Sequence, residues 1–471
     1  MDKFKIAIFG TGRRGKEIHG VLRQIFQIEE IVFIDNYPRE TFVNGTQVIL
    51  AKKFLGSDIS KEYIYIVGGK FQTEMLEQLQ NARVKNTSIY TLEMFIEKFY
   101  HSEIVDENNN RIIKQKKLVI LDCSEGFVLG GVERWSFFMS NEFSKRNIDT
   151  LLYTNTLEYS APEDFLDRVL FVPFENEFIN INEQIKRISR IVEQYSEITF
   201  VASHIAIFLC MAVLIKKRNL HLNIKIVSVI HSSMDEEVDA NILAYRSIDK
   251  YLCVNQQICH KLKNLEYIKH KVFYKETPIL CEELNRTYTL SRQFAIKIGY
   301  AARLESEHKR SQLLCNVLNA LEVQKCNYYM EIAGDGSCYG IIHKYIEEKN
   351  LHNKVKLLGR LDYTRMPEFW RKQDIAISLS ETEGCSLSML ESMAAGVVNV
   401  ITHTLGCEEF VIDGKTGFLV SVDCVEDIAK KIGELEKRRE LLCKVGEAAN
   451  ALICQKCSME DYMEFWINQI L

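Results

Sequence analysis

The feature that most constrains this chain is a repeated alternation. Apolar runs of four to seven residues are each followed by a segment of helical period, from one end of the sequence to the other. Such runs are too short to span a bilayer and too continuous for half-exposed strands. They are what strands become when helices cover both faces of a parallel sheet. The runs fall into three groups. Strands are expected at 5–9, 30–34, 63–67 and 88–90. A second group is expected at 118–121, 150–153, 199–202, 224–230, 251–254 and 272–274. A third is expected at 296–301, 328–333, 355–358, 375–379, 397–401 and 418–420. The polar tract Asp106-Glu107-Asn108-Asn109-Asn110 reads as a linker. The expectation is an α/β chain: a Rossmann-like unit over 1–100, a linker over 101–116, a second unit over 117–291, a third over 292–455, and a final helix over 456–471. Ligands of such sheets lie beyond the carboxyl ends of the strands, so the residues following each strand carry the functional argument.

The richest strand end is the fifth of the third group. It runs into Ser380-Glu381-Thr382-Glu383-Gly384-Cys385-Ser386-Leu387-Ser388, with Glu391 eight residues beyond Glu383. A helix starting at once after Glu383 would aim the backbone N–H groups of Gly384 to Ser388 at a phosphate or a ring of hydroxyls. Eight helical residues rise about 12 Å, whereas the two carboxylates of a retaining glycosidase stand about 5 Å apart. The two glutamates therefore suit different parts of one long ligand. The first strand of the same group ends in Arg303 and Lys309, two cations able to neutralise a diphosphate. Gly334-Asp335-Gly336, Gly359-Arg360, Gly406 and Gly414 to Gly417 add glycine turns at the same sheet edge. As isolated features, Glu391 reads as a solvated helix residue and Glu383 as an N-terminal helix charge.

Taken together, residues 299–420 resemble the nucleotide-sugar domain of GT-B glycosyltransferases, in particular the large retaining group called family 4. Glu383 to Glu391 is similar to that family's glutamate–seven residues–glutamate motif, and Arg303 with Lys309 to its diphosphate-binding pair. The resemblance implies Glu383 beside the donor sugar and Glu391 on the ribose hydroxyls. It also implies backbone amides of Gly384, Cys385, Ser386, Leu387 and Ser388 around sugar and phosphate, and Gly359-Arg360 bordering the base. Ala302 before Arg303, Leu405 and Val398-Asn399 depart from the family's usual residues, which leaves the donor sugar open. In the second unit, Gly130-Gly131 before a helix matches the family's opening loop, and His231 after the 224–230 strand stands where the family places a histidine facing the sugar. His204 is a weaker candidate. The final helix would cross back to the first half of the cleft.

The N-terminal unit carries Gly10, Gly12 and Gly15 between a strand and a helix, with Asp35 closing the next strand twenty residues after Gly15. This is a dinucleotide-binding fingerprint in context, on a unit too short to hold a nicotinamide half. Nucleotide binding and a purely structural or docking role both stay open. A competing reading, an NAD-dependent oxidoreductase or epimerase, leaves most of the chain unexplained. A non-catalytic nucleotide-sugar-binding protein is disfavoured by the joint presence of Arg303, Lys309, Glu383 and Glu391.

The bulk numbers exclude other classes. A net charge of −5 with 26% charged residues disfavours a broad nucleic-acid surface. Fourteen cysteines lie scattered through apolar runs, as free thiols in a reducing cytoplasm do. Cys454 and Cys457 lack a second pair at zinc spacing, so no metal and no cofactor is expected beyond the nucleotide-diphosphate-sugar substrate. The N-terminal apolar run meets a glycine turn and is no signal peptide. The acceptor is open among glycan, lipid-linked and protein molecules. Lys216-Lys217-Arg218 and the lysines of 261–271 read as solvated helix faces or as candidates for peripheral contact with the inner face of the membrane.

Overall fold

The computed structural model describes residues 4–68, 72–100, 114–123, 131–154, 167–171, 181–203, 207–231, 238, 242, 244–281, 284, 286–422, 424 and 426–471. Among these residues the strands form three sheets. The first has the spatial order Phe42–Val43, Thr46–Leu50, Ile28–Asp35, Phe4–Phe9, Ile64–Ile66, Ile89–Tyr90. It is parallel except for the hairpin at its edge. The second runs Val272–Tyr274, Lys250–Cys253, Asn223–Ile230, Tyr195–Ala202, Lys114–Asp122, Asp149–Thr154, Val169–Phe171. The third runs Val355–Gly359, Tyr328–Ala333, Ile296–Ala301, Ile375–Ser378, Val398–Thr402, Phe418–Val420. Both are wholly parallel. In each sheet the first strand in sequence lies inside, with the chain reversing direction across the sheet beside it. That is where an open α/β sheet leaves a crevice at its carboxyl edge. No helix among the described residues is long and apolar enough to cross a membrane.

The central strands have almost uninterrupted buried residues, such as Ile198 to Ala202 and Ile226 to Ile230. Both faces are covered, which explains why the runs do not alternate. The third sheet has its own core, around Ile298, Met330, Ile377 and Val400. The first two sheets share one: Ile6, Phe33 and Phe95 belong to the same apolar cluster as Ile120, Phe200 and Ile226. The helix Ile207–Arg218 joins them. Its residues 207–215 are all buried, because one side packs on its own sheet and the other on the helix Leu92–Phe99 of the N-terminal unit. This is the all-apolar helix expected between two layers.

Polar bonds fasten the same junction. Arg14 Nη2 donates to Glu93 Oε1 at 2.7 Å, and Cys210 Sγ donates to that oxygen at 3.1 Å. Glu93 is 1% exposed. Arg218 Nε donates to Tyr100 Oη at 2.6 Å, Lys217 Nζ donates to the Glu97 carbonyl, and Lys216 Nζ pairs with Asp249 at 2.7 Å. The expectation of a membrane-facing Lys216-Lys217-Arg218 cluster is thereby corrected: two of these cations hold the N-terminal unit and the third holds its own domain. In the second cluster, Lys271 Nζ donates to the carbonyls of Tyr245 and Ile248, and Lys269 pairs with Glu266.

The sequence boundaries need adjustment. The strand expected from 118 begins at Lys114, paired to Tyr195, so it takes in the last part of the expected linker; 101–113 lie outside the described residues. The helix Met459–Phe465 and the turn Trp466–Ile470 return to the shared core through Tyr462, Met463, Trp466 and Ile470. The Trp135 indole donates to Tyr462 Oη at 3.1 Å.

Candidate functional site

A cleft of about 680 Å³ lies between the carboxyl edges of the second and third sheets. From the second it takes Gly131, Arg134, Trp135 and His231; from the third, Arg303, Lys309, Gly334, Gly336, Arg360 and residues 383–388. Gly130 and His204 lie outside the described residues. Gly359 and Glu391 are not in the cleft wall. Gly359, at φ +65°, shapes the turn behind it by accepting from the Gly334 N–H at 2.8 Å.

The wall begins with strand Ile375–Ser378. After it the chain stays irregular until Leu387, where the helix Leu387–Ala394 starts with Ser386 as its cap; Ser386 Oγ accepts from the Met389 N–H at 3.4 Å. The expectation of a helix starting directly after Glu383 is corrected here. Gly384, Cys385 and Ser386 form a loop, Glu383 stands outside the helix, and the 12 Å helical spacing of the two glutamates does not apply. A serine cap stops the helix from extending backwards, and the Gly384 carbonyl is taken by Asn255 Nδ2 at 2.8 Å. Burial pushes the Cys385 thiol up to about 12, so it stays neutral.

Lys309 reaches over from the first strand's loop to bind Glu383 Oε1 at 2.5 Å, and Ser380 Oγ donates to the same oxygen at 2.7 Å. A cation and a carboxylate that are 74 residues apart in sequence thus meet at one strand end. Arg303 is half-exposed and holds Glu305 at 3.3 Å. The glycines of the third-strand loop answer a different demand from the one expected. At Gly334, φ +148°, a Cβ would lie 2.0 Å from the Ala302 carbonyl oxygen; at Gly336, φ +146°, 2.7 Å from that of Leu304. They let two strand ends touch, as well as lining the cleft.

Glu391, the fifth residue of its helix, points to the other half of the molecule. Its Oε1 pairs with Arg134 Nη2, both side chains being nearly buried. Burial pushes the Glu391 carboxyl up, while Arg134 and the Trp370 indole pull it down. One stripe of the helix Gly131–Lys145 makes the crossing. Gly131 lies against Leu387, Arg134 on Glu391, and the Phe137 ring 6.3 Å from Tyr363. His231 closes the second half's edge, 5.1 Å from the Trp135 ring. Sequence reasoning missed Arg134, Trp135, Asn255 and Trp370. The three-residue spacing of 131, 134 and 137 was visible, but not what that face meets.

The N-terminal fingerprint is folded as its glycines require. Gly10 has φ +95°, and a Cβ on Gly15 would lie 2.1 Å from the Gly10 carbonyl oxygen. Asp35, however, is engaged by its own loop, accepting from Thr11 N at 2.9 Å, Thr11 Oγ1 at 2.7 Å and Tyr37 N at 2.9 Å. Arg14 is turned to Glu93. Cys457, of the CxxC pair, is buried beyond the helix Glu440–Lys456. Among the described residues, the ligand-type trio that converges is instead His403, Cys407 and Glu408, with atoms within 4.8 Å.

Residues 285–451 match the family described as Glycosyl transferases group 1. Over this segment the chain is similar to that family. Its fold is GT-B. Anabaena HepE, solved with UDP and glucose, superposes with a TM-score of 0.62 at 16% identity, covering 76% of this chain and 99% of that one. A variant of S. aureus TarM, solved with Fondaparinux, alpha-GlcNAc-glycerol and UDP, gives 0.60 at 16% identity, over 75% of this chain and 99% of that one. By sequence, the chain is 29% identical to the poly(ribitol-phosphate) alpha-N-acetylglucosaminyltransferase of Staphylococcus aureus (strain COL), over 53% of this chain and 51% of the relative. It is 26% identical to the N-acetyl-alpha-D-glucosaminyl L-malate synthase of Bacillus anthracis, over 41% of this chain and 49% of that one. The chain thus spans about half the length of these curated relatives.

Proposed function

We propose that this chain is a cytoplasmic glycosyltransferase that moves a sugar from a nucleotide-diphosphate donor, UDP-sugar ahead of GDP-sugar, with retention of anomeric configuration. The acceptor is a glycan, lipid-linked or protein molecule of cell-surface polysaccharide or glycoconjugate assembly. The observation that carries the reading is the single cleft wall on which Arg303, Lys309, Glu383 and the start of the helix Leu387–Ala394 stand together. Breaking a glycosidic bond to a diphosphate leaves negative charge on the phosphate oxygens. Two cations and a helix N-terminus supply fixed positive potential there without a metal. Lys309 now spends its charge on Glu383; a bound diphosphate takes it over and leaves Glu383 facing the sugar, with His231 opposite. Glu391 receives the ribose hydroxyls.

The relatives support the acceptor class. Besides the poly(ribitol-phosphate) enzyme, they include a poly(glycerol-phosphate) alpha-glucosyltransferase of Bacillus subtilis, 31% identical over 30% of this chain. UDP in the HepE and TarM structures supports the base. The test is nucleotide release from UDP- and GDP-sugars in the presence of EDTA, with the anomer of the product read by NMR. Release from a UDP-sugar in EDTA, with retention, is expected. No release from any nucleotide-sugar removes the reading; release restored only by magnesium or manganese removes its metal independence.

A further inference from the structure

Three polar groups without a full hydrogen bond gather where the two halves meet. Glu391 uses Oε1 on Arg134, but its Oε2 is buried without a hydrogen bond. Arg134 Nε is buried without an acceptor, and so is Trp370 Nε1, on a side chain 1% exposed. The Trp370 indole N–H is directed at the Glu391 carboxylate and lowers it, without completing a hydrogen bond of full geometry. Leaving a buried donor or acceptor unmade costs about 1–3 kcal/mol, so Arg134 Nε with no acceptor beside a carboxylate oxygen and an indole N–H that only partly satisfy each other describes a site lacking its ligand rather than a finished contact. The set is one charged acceptor and two N–H donors. A pair of neighbouring hydroxyls complements it: each gives a hydrogen to carboxylate and takes one from an N–H.

Arg134 belongs to the other half of the molecule, on the helix Gly131–Lys145. We infer that Arg134 is a donor-binding residue, and that the ribose subsite is built from both halves and completed only when they close. This rests on the reading of Glu391 as the ribose carboxylate. The diol inserts between Arg134, Glu391 and Trp370. Burial pushes the Glu391 carboxyl up, and Arg134, the charged group acting on it, opposes that rise together with the neutral Trp370 indole. Donor binding and cleft closure are then one event, since the same side chain serves both.

The experiment is calorimetric titration of the full chain with UDP between pH 5.5 and 8. The proteins are the wild type, Arg134→Gln, Arg134→Lys and Glu391→Gln, each checked for folding by circular dichroism. Arg134→Gln is expected to weaken UDP binding about 10-fold or more at pH 8, the loss of one charge-assisted contact. It also moves the acid loss of affinity to higher pH, because burial of Glu391 then goes less opposed. Arg134→Lys keeps the charge and restores the wild-type pH profile. Glu391→Gln weakens binding and removes that part of the profile. If Arg134→Gln binds UDP as well as or better than the wild type with an unmoved profile, Arg134 only seals the carboxylate and the inference is wrong. If Glu391→Gln binds normally, the ribose reading beneath it fails instead.

Discussion

Replacing Glu93 with glutamine removes one negative charge from the seam between the N-terminal unit and the second unit while keeping its volume. Glu93 is 1% exposed and its Oε1 accepts from both Arg14, at 2.7 Å, and Cys210, at 3.1 Å. Arg14 is itself 17% exposed, and its other carboxylate neighbour, Glu17, is at 3.5 Å. Breaking a buried pair by removing one partner costs about 3–5 kcal/mol. Glutamine still offers a neutral oxygen, and Glu17 still compensates in part, so about 3 kcal/mol is expected, at the lower end of that range. If that loss falls on docking, the undocked population rises roughly 150-fold. Cys210 reports it directly: it is fully buried under the N-terminal unit, and burial holds its thiol well above the usual range. Alkylation followed by peptide mass spectrometry should show Cys210 labelled on the order of 100-fold faster in Glu93→Gln. Cys338, in the separate third-sheet core, should be unchanged. Equal labelling of Cys210 in a folded variant would show that this network does not hold the unit in place.

Arg303→Ala and Lys309→Ala should each weaken donor binding and slow departure of the diphosphate, by roughly 10- to 150-fold in kcat/KM; unchanged kinetics would remove both from the site. Glu383→Gln should lower kcat with little change in KM, and Glu391→Gln should chiefly raise the donor KM, since only an interaction gained in the transition state acts on kcat. The opposite split, measured by initial rates, would exchange their roles. A chain beginning at Lys114 returns part of the Ile207–Arg218 helix to water. Even two apolar side chains re-exposed cost about 3–6 kcal/mol, so a lower Tm and aggregation are expected; a Tm equal to that of the full chain would contradict the shared core.

Much of the architecture was legible in the residues. Unbroken apolar runs forced parallel sheets covered on both faces, because no half-exposed strand tolerates such a pattern. Of the residues singled out at the strand ends of the third group, Arg303, Lys309, Gly334, Gly336 and Glu383 line the cleft, because an open α/β sheet offers ligands its carboxyl edge. What stayed hidden is relational. Nothing local in Ile207 to Ile215 says that a second layer covers them, and Lys216 to Arg218 look like a free basic cluster until that layer supplies Glu97 and Tyr100. Gly334 and Gly336 looked like room for a ligand, yet the closest demand on them comes from the carbonyls of Ala302 and Leu304. Arg134 and Glu391 are 257 residues apart. Sequence periodicity reports which face of a helix is apolar, but a pair that meets across a cleft is decided by how two separately folded sheets face each other. Only the tertiary structure therefore shows that the carboxylate expected to hold the ribose is shared between both halves.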